Sequence, residues 1–299
     1  MSRGYLLFAH NNPQIDYIKL ALINALMIKK NTPGANVALV ADGSINYLLS
    51  RYSRDLIDYA FTHIVYDEIK DGRNLRTYKG GTEHSPVEFL NSSRPSAYEL
   101  SPWDETILVD VDYLIMDDTL ESCWGSVEEI MINKRVKFLN HREGEHEDAR
   151  LDQMGIPTYW ATAIYFSRTE RCRLLFALVE QIRLHYEFYQ ILYQFPGRMY
   201  RNDYAFSIAL HMMNGFVENG TFVRPLPVPF IYASPDSDML LEVKGINQLV
   251  FKTHMPDVKA PIPVVISDMN VHVMNKYAIL AHAEKLISLY TPEGIQIHA

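Results

Sequence analysis

Cysteine is scarce: the 299 residues include only two, Cys123 and Cys172. Two unclustered cysteines make neither a disulfide framework nor a zinc site, so both are expected to be reduced core thiols. Basic residues are the minority, with 28 Lys and Arg against 36 Asp and Glu and a net charge of -8. The overall basic footprint of nucleic-acid-binding proteins is therefore missing, and only a local basic groove would supply one. No apolar run is long enough to span a bilayer. The apolar core of the opening "MSRGYLLFAHNNPQ" is too short for a signal peptide, so a soluble, cytoplasmic protein is expected. No G-x-G-x-x-G follows any expected strand, which counts against a dinucleotide-dependent dehydrogenase. There is no internal repeat, low-complexity tract or linker, and one domain over residues 1–299 is expected.

What is present is ordinary globular material, 48% hydrophobic and 21% charged. The first half alternates strand and helix signals. "GYLLFA" reads as a buried strand, and Asn12-Pro13 as the cap and first residue of a helix that Pro33-Gly34 stops. "NVALVAD" is a second strand ending at Asp42, Leu48–Phe61 an amphipathic helix, and "HIVY" a third strand. This order predicts an α/β fold, a single Rossmann-like mixed sheet flanked by helices and parallel in its first strands, with ligands at the carboxyl ends of the strands. Lys70–Arg94 reads as a long polar loop with one helix near Pro86–Asn91. Later, "ATAIYF" is a strand, Ser167 and Glu170 are spaced as a capping box, and Asn202 is placed to cap a helix that Gly215 stops. "LVFKTH" and "PVVISD" read as strands, and the last helix as Tyr277–Tyr290.

One stretch carries chemistry. In "TILVDVDYLI" a buried strand ends in Asp110-Val111-Asp112. If the segment stays extended, residues two apart point the same way. Two carboxylates aimed together repel, and a divalent cation removes the conflict. Mn2+ or Mg2+ bound to paired carboxylates commonly also binds phosphate. The bland alternative is a turn aspartate with a solvated neighbour. Asp117-Asp118 reads as the start of a helix at Thr119.

These features together resemble the nucleotide-sugar-dependent glycosyltransferases of the A-type fold. The residues that carry the likeness are "LLFAHNN", "VALVAD", "SAYELSPWDETILVDVDYLI", "IPTYWATAIYFS", "RNDYAFSIAL" and "VHVMNK". The resemblance implies a nucleotide-sugar-binding half over 1–118 and an acceptor-side half over 119–299. It implies that Asp110, Asp112 and His272 hold Mn2+ or Mg2+, with His254 in "KTHMPD" competing for the third place. His10, Asn11 and Asp42 would hold the nucleoside, Asp110 would also lie near the ribose, Lys276 would touch the diphosphate, and Arg94 would lie near the phosphates or the sugar. Asp203 would orient donor hydroxyls or act as base, although an Asp in a first helical turn also gains from the helix dipole alone. Trp160 would meet the acceptor. The donor implied is a nucleoside-diphosphate sugar, a UDP-sugar by preference. Two departures stand out: "VHVMNK" lacks the family's usual glycine near the histidine, and Asn202-Asp203 replaces the usual Asp-Gln.

Two other readings remain open. A nucleotidyltransferase shares a similar sheet, but "FAHNNPQ" offers no glycine-rich phosphate loop. A non-catalytic nucleotide-sugar-binding module would keep the fold without the reaction. The acceptor is unidentified. The compact size resembles that of small tailed-phage glycosyltransferases, which would act in host cytoplasm, some of them on modified DNA bases. A DNA acceptor would require Arg135, Arg142, Arg198 and Arg201 to gather on one face. The acidic "HREGEHED" run (His141–Asp148) reads as a solvated loop or a lid over the donor.

Overall fold

The computed structural model describes residues 1–68, 93–139, 150–151, 155–195, 200–218, 222–235, 237–254, 258 and 260–299, and the backbone of 74–80 and 83–89. The opening apolar run forms β1 (Arg3–Ala9), followed by α1 (Tyr17–Asn31) and β2 (Val37–Ala41). α1 begins later than Asn12-Pro13 suggests. Asn12 Oδ1 accepts from the Gln14 and Ile15 N–H groups at 2.9 and 2.7 Å, closing a turn that buries Ile15. The cap is Asp16, which accepts from the Lys19 N–H at 3.0 Å. The stop falls where expected: Gly34 takes a φ of +83°, open to glycine without steric cost.

The helix expected over Leu48–Phe61 is two, α2 (Ile45–Arg51) and α3 (Arg54–Ala60). Tyr52 is extended between them, and Ser53 caps α3 by accepting from the Leu56 N–H at 3.2 Å. β3 (His63–Tyr66) follows. The expected loop and helix before Arg94 are instead a hairpin of β4 (Asn74–Gly80) and β5 (Glu83–Phe89). A two-stranded ribbon pairs its backbone across the ladder and needs no apolar stripe, so its polar sequence reads as loop. A 3-10 turn at Arg94–Ser96 and α4 (Ala97–Leu100) lead into β6 (Glu105–Val109), the strand of "TILV", and then β7 (Tyr113–Leu114).

β8 (Ile130–Asn133), β9 (Lys137–Phe138) and β10 (Trp160–Ser167) precede α5 (Glu170–Leu184). Its cap is Thr169 rather than Ser167, accepting from the Cys172 N–H at 3.3 Å. α6 (Tyr186–Tyr193) continues beyond a break at His185, and α7 (Asn202–Met213) starts at Asn202, with Arg201 in the cap position. β11 (Ile231–Ala233), β12 (Asp238–Gly245), β13 (Gln248–Thr253), β14 (Ile262–Ser267) and β15 (Val271–Val273) follow. The expected final helix is α8 (Lys276–Ala281) and α9 (Ala283–Tyr290), parted at His282.

The central sheet has the order β3-β2-β1-β6-β10-β8. Its first four strands are parallel, while β10 runs antiparallel to β6 and β8, which makes the mixed sheet the sequence predicts. Side chains alternate between its faces: Tyr5, Leu7 and Ala9 join the core around α1, and Leu6 joins the core around α5 and α7. Burial on both faces is why these strands read as continuous apolar runs. Two smaller sheets, β7-β15-β11-β9 and β12-β13-β14, are built mostly from the later residues. The chain leaves β1 toward β2 on one side and returns as β6 on the other. That reversal opens a crevice at the carboxyl ends of β1 and β6. Among the described residues no helix is long and apolar enough to cross a membrane. His141–Asp148, including Arg142, and the Pro196–Arg198 stretch lie outside the described residues.

Candidate active site

Asp110 follows β6 directly, and its N–H donates to Thr162 O on β10 at 2.8 Å. The segment does not stay extended, as the sequence reading assumed. The Tyr113 N–H donates back to Asp110 O at 3.1 Å, so Asp110-Val111-Asp112-Tyr113 is a β-turn. The turn, rather than strand alternation, brings the two carboxylates together. It also reverses the chain into β7, which pairs antiparallel with β15 so that His272 lies opposite Tyr113. The Val273 N–H donates to Asp112 O at 2.9 Å and locks this register. One ligand atom from each of Asp110, Asp112 and His272 lies within 4.8 Å of the others. His254 is exposed just past β13 and is not part of this group.

Each carboxylate has its own cation. Arg94 is buried and pairs with Asp110, while its other terminal nitrogen donates to Ala161 O and Thr162 O. Lys276 is the first residue of α8, and its Nζ lies 2.6 Å from Asp112 Oδ2. His272 Nε2 is 3.4 Å from Asp112 Oδ1. Burial pushes the Asp112 carboxyl up, but Lys276 and His272 outweigh it and hold the group well below the usual carboxylate range. Burial pulls the Lys276 ammonium down, and Asp112, with Tyr17 and Asp110 adding to it, more than reverses that. Asp112 is thus anionic and Lys276 cationic inside a buried pair.

A cleft opens over these groups. Arg94, Asp110, Asp112, His272 and Lys276 line it together with His10, Trp160 and Asp203. His10 is buried with no hydrogen-bond partner at Nε2. Burial lowers its pKa, opposed by Asp42 and Asp67. Asp203 stands in the first turn of α7, where one oxygen accepts from the Ala161 N–H at 2.9 Å and the other from Arg201 at 3.1 Å. Trp160 is half-buried at the start of β10, with its Nε1 unpartnered and its ring 6.0 Å from that of Tyr232. Asn11 and Asp42 do not line the cleft. The Asn11 amide accepts from the Ile18 N–H and donates to Asp16 at the α1 entrance. Asp42 accepts from the Ser44 N–H at 2.9 Å and from its hydroxyl.

Two lining residues carry no sequence signal: Tyr232 sits on a short strand among prolines and Thr162 in a buried strand. Arg201, named from sequence only for a basic face, also lines the cleft. Thr162 Oγ1 lies 3.4 Å from His272 Nδ1, the ring nitrogen away from Asp112. Two carboxylates and an imidazole make a hard, anionic donor set suited to Mn2+ or Mg2+. The residues present therefore fit the metal that the resemblance implies.

The fold is that of the A-type glycosyltransferases. The galactosyltransferase LgtC, solved in complex with donor and acceptor sugar analogues, superposes over 97% of this chain and 98% of its own, with a TM-score of 0.50 at 12% identity. An active-site mutant of LgtC gives the same values. Mouse xyloside xylosyltransferase 1 overlaps more loosely, covering 76% of this chain and 85% of its own with a TM-score of 0.43 at 9% identity. No protein-family model and no curated protein matches the chain. Identity this low establishes the fold alone.

Proposed function

We propose that the chain is a metal-dependent glycosyltransferase that moves a sugar from a nucleoside-diphosphate donor, a UDP-sugar by preference, to an acceptor. One observation carries the reading: Asp110, Asp112 and His272 converge at the mouth of the switch-point crevice, with Lys276 beside them. Asp110, Asp112 and His272 would hold Mn2+ or Mg2+, which when bound stabilises charge on the diphosphate as it leaves. Lys276 and Arg94 are fixed cations at the same wall. They add positive potential where negative charge develops, without reorganising during the reaction.

Asp203 is held by two donors from different elements and so keeps a set orientation toward the cleft. That suits a group that orients donor hydroxyls or favours a cation-like sugar carbon. Trp160 and Tyr232, their rings 6.0 Å apart and tilted by 50°, give the cleft an aromatic wall suited to a ring-shaped acceptor. His10, which lines the same cleft, would meet the nucleoside. The test is a thermal-shift screen of nucleotide sugars with and without Mn2+. A UDP-sugar should raise the melting temperature only when the metal is present, by linkage. Equal shifts without metal, or none with any nucleotide sugar, refute the reading. Release of UDP rather than pyrophosphate separates it from nucleotidyl transfer.

A further inference from the structure

A fully buried polar side chain near the cleft belongs to none of the groups above. Asn24 sits in the middle of α1, fully buried among apolar neighbours that include Leu20, Ile23 and Met27. An amide there is costly unless its hydrogen bonds are satisfied. It is satisfied by the aspartate turn. Its Nδ2 donates to Asp110 O at 3.2 Å and Tyr113 O at 2.9 Å, and its Oδ1 accepts from the Ile115 N–H at 3.2 Å.

The topology explains the arrangement. β7 is the edge strand of its sheet and is laddered only to β15. Asn24 meets its free backbone groups from α1. In doing so it holds both ends of the turn that carries Asp110 and Asp112.

We infer that Asn24 is a positioning residue for the metal site. This rests on the metal reading proposed above. The separation of the two carboxylates depends on where the turn places their Cα atoms. Asn24 is the side chain bonded to its first and last carbonyls. Removing the amide lets the turn relax, and the ligands then pay a reorganisation cost when the ion binds. Outer partners of metal ligands change affinity by about 10-fold or more when lost.

Asn31, about two turns further along the same face of α1, provides the comparison. Its Nδ2 donates to Ile115 O at 2.9 Å, the same kind of bond beyond the turn.

The experiment is a Mn2+ titration, following free Mn2+ by electron paramagnetic resonance, on purified folded protein. Wild type, Asn24→Leu, Asn24→Ser and Asn31→Ala are compared, with urea unfolding in parallel. The two Asn24 variants should bind Mn2+ about 10-fold or more weakly, while Asn31→Ala loses stability but keeps wild-type affinity. Asn24→Ser leaves room for a water in place of the amide, and it decides the matter where Asn24→Leu does not fold. Wild-type affinity in the Asn24 variants, or an equal loss in Asn31→Ala, overturns the inference while the metal reading stands. A wild-type protein with no Mn2+ affinity overturns both.

Discussion

Lys276 and Asp112 form a buried ion pair at 2.6 Å, and each keeps the other charged. Removing one partner of such a pair leaves an uncompensated charge in low dielectric, at a cost of about 3–5 kcal/mol. Lys276→Met should lower stability by that order in metal-free buffer, measured by urea unfolding. Saturating Mn2+ should recover part of the loss by supplying Asp112 with another cation. The two thiols give a check on pH behaviour. Burial pushes Cys123 up to about 12, and it also raises Cys172, whose Sγ donates to Glu129 O at 3.1 Å. The thiolate is the reactive form, so raising pH from 7 to 9 should barely speed modification of the native protein by a thiol reagent. In urea both thiols should react with the steep pH dependence of free cysteine. At this scale the sequence shows that Asp110 and Asp112 matter, because carboxylates end an apolar run. It does not by itself choose between His272 and His254, since each simply follows a single β-branched residue, Val271 or Thr253.

At the scale of elements, apolar periodicity locates helices well and their interruptions poorly. The stripes of Leu48–Phe61 and Tyr277–Tyr290 each run across a break, at Tyr52 and His282. Apolar residues keep recurring across a break of one or two residues, so the pattern continues while the hydrogen bonds do not. The aspartate turn is hidden for a related reason. A strand that continues and one that turns after Asp110 differ in a single backbone bond, from the Tyr113 N–H to Asp110 O. The capping errors at Asn12 and Ser167 show that a good capping residue is common, and that burial of Ile15 and Cys172 selects among candidates. Gly4 on β1 gives a sharp test of packing at this level. A Cβ there would lie 2.5 Å from Trp103 Cε2 and 2.8 Å from Asn36 O. Gly4→Ala should destabilise by about 1–3 kcal/mol, read as a lower urea midpoint with an unchanged slope.

For the whole molecule, the cleft gathers residues from β1, the Arg94 turn, the loop after β6, β10, α7, β15 and α8. Asp112→Asn removes one charge from this assembly and, like Lys276→Met, leaves the other member of the buried pair uncompensated, so a stability loss of the same order is expected in metal-free buffer. It should abolish metal-dependent donor binding and lower transfer by about 100-fold or more, with the fold intact by circular dichroism. Saturating Mn2+ and donor together should stabilise the wild type by about 2.7 kcal/mol at a hundred times the dissociation constant, and Asp112→Asn far less.

Residue order alone determined the alternation of strands and helices, the mixed α/β class and the place of the acidic pair at a strand's carboxyl end. Those depend on local periodicity and on the cost of burying charge, both written in neighbouring residues. The tertiary structure decided which histidine joins the pair, which cations neutralise it, and that Asn24 holds its turn. Those contacts join residues far apart in the chain through the pairing of β7 with β15 and the packing of α1. Such choices follow from how whole elements dock, and no window of sequence contains them.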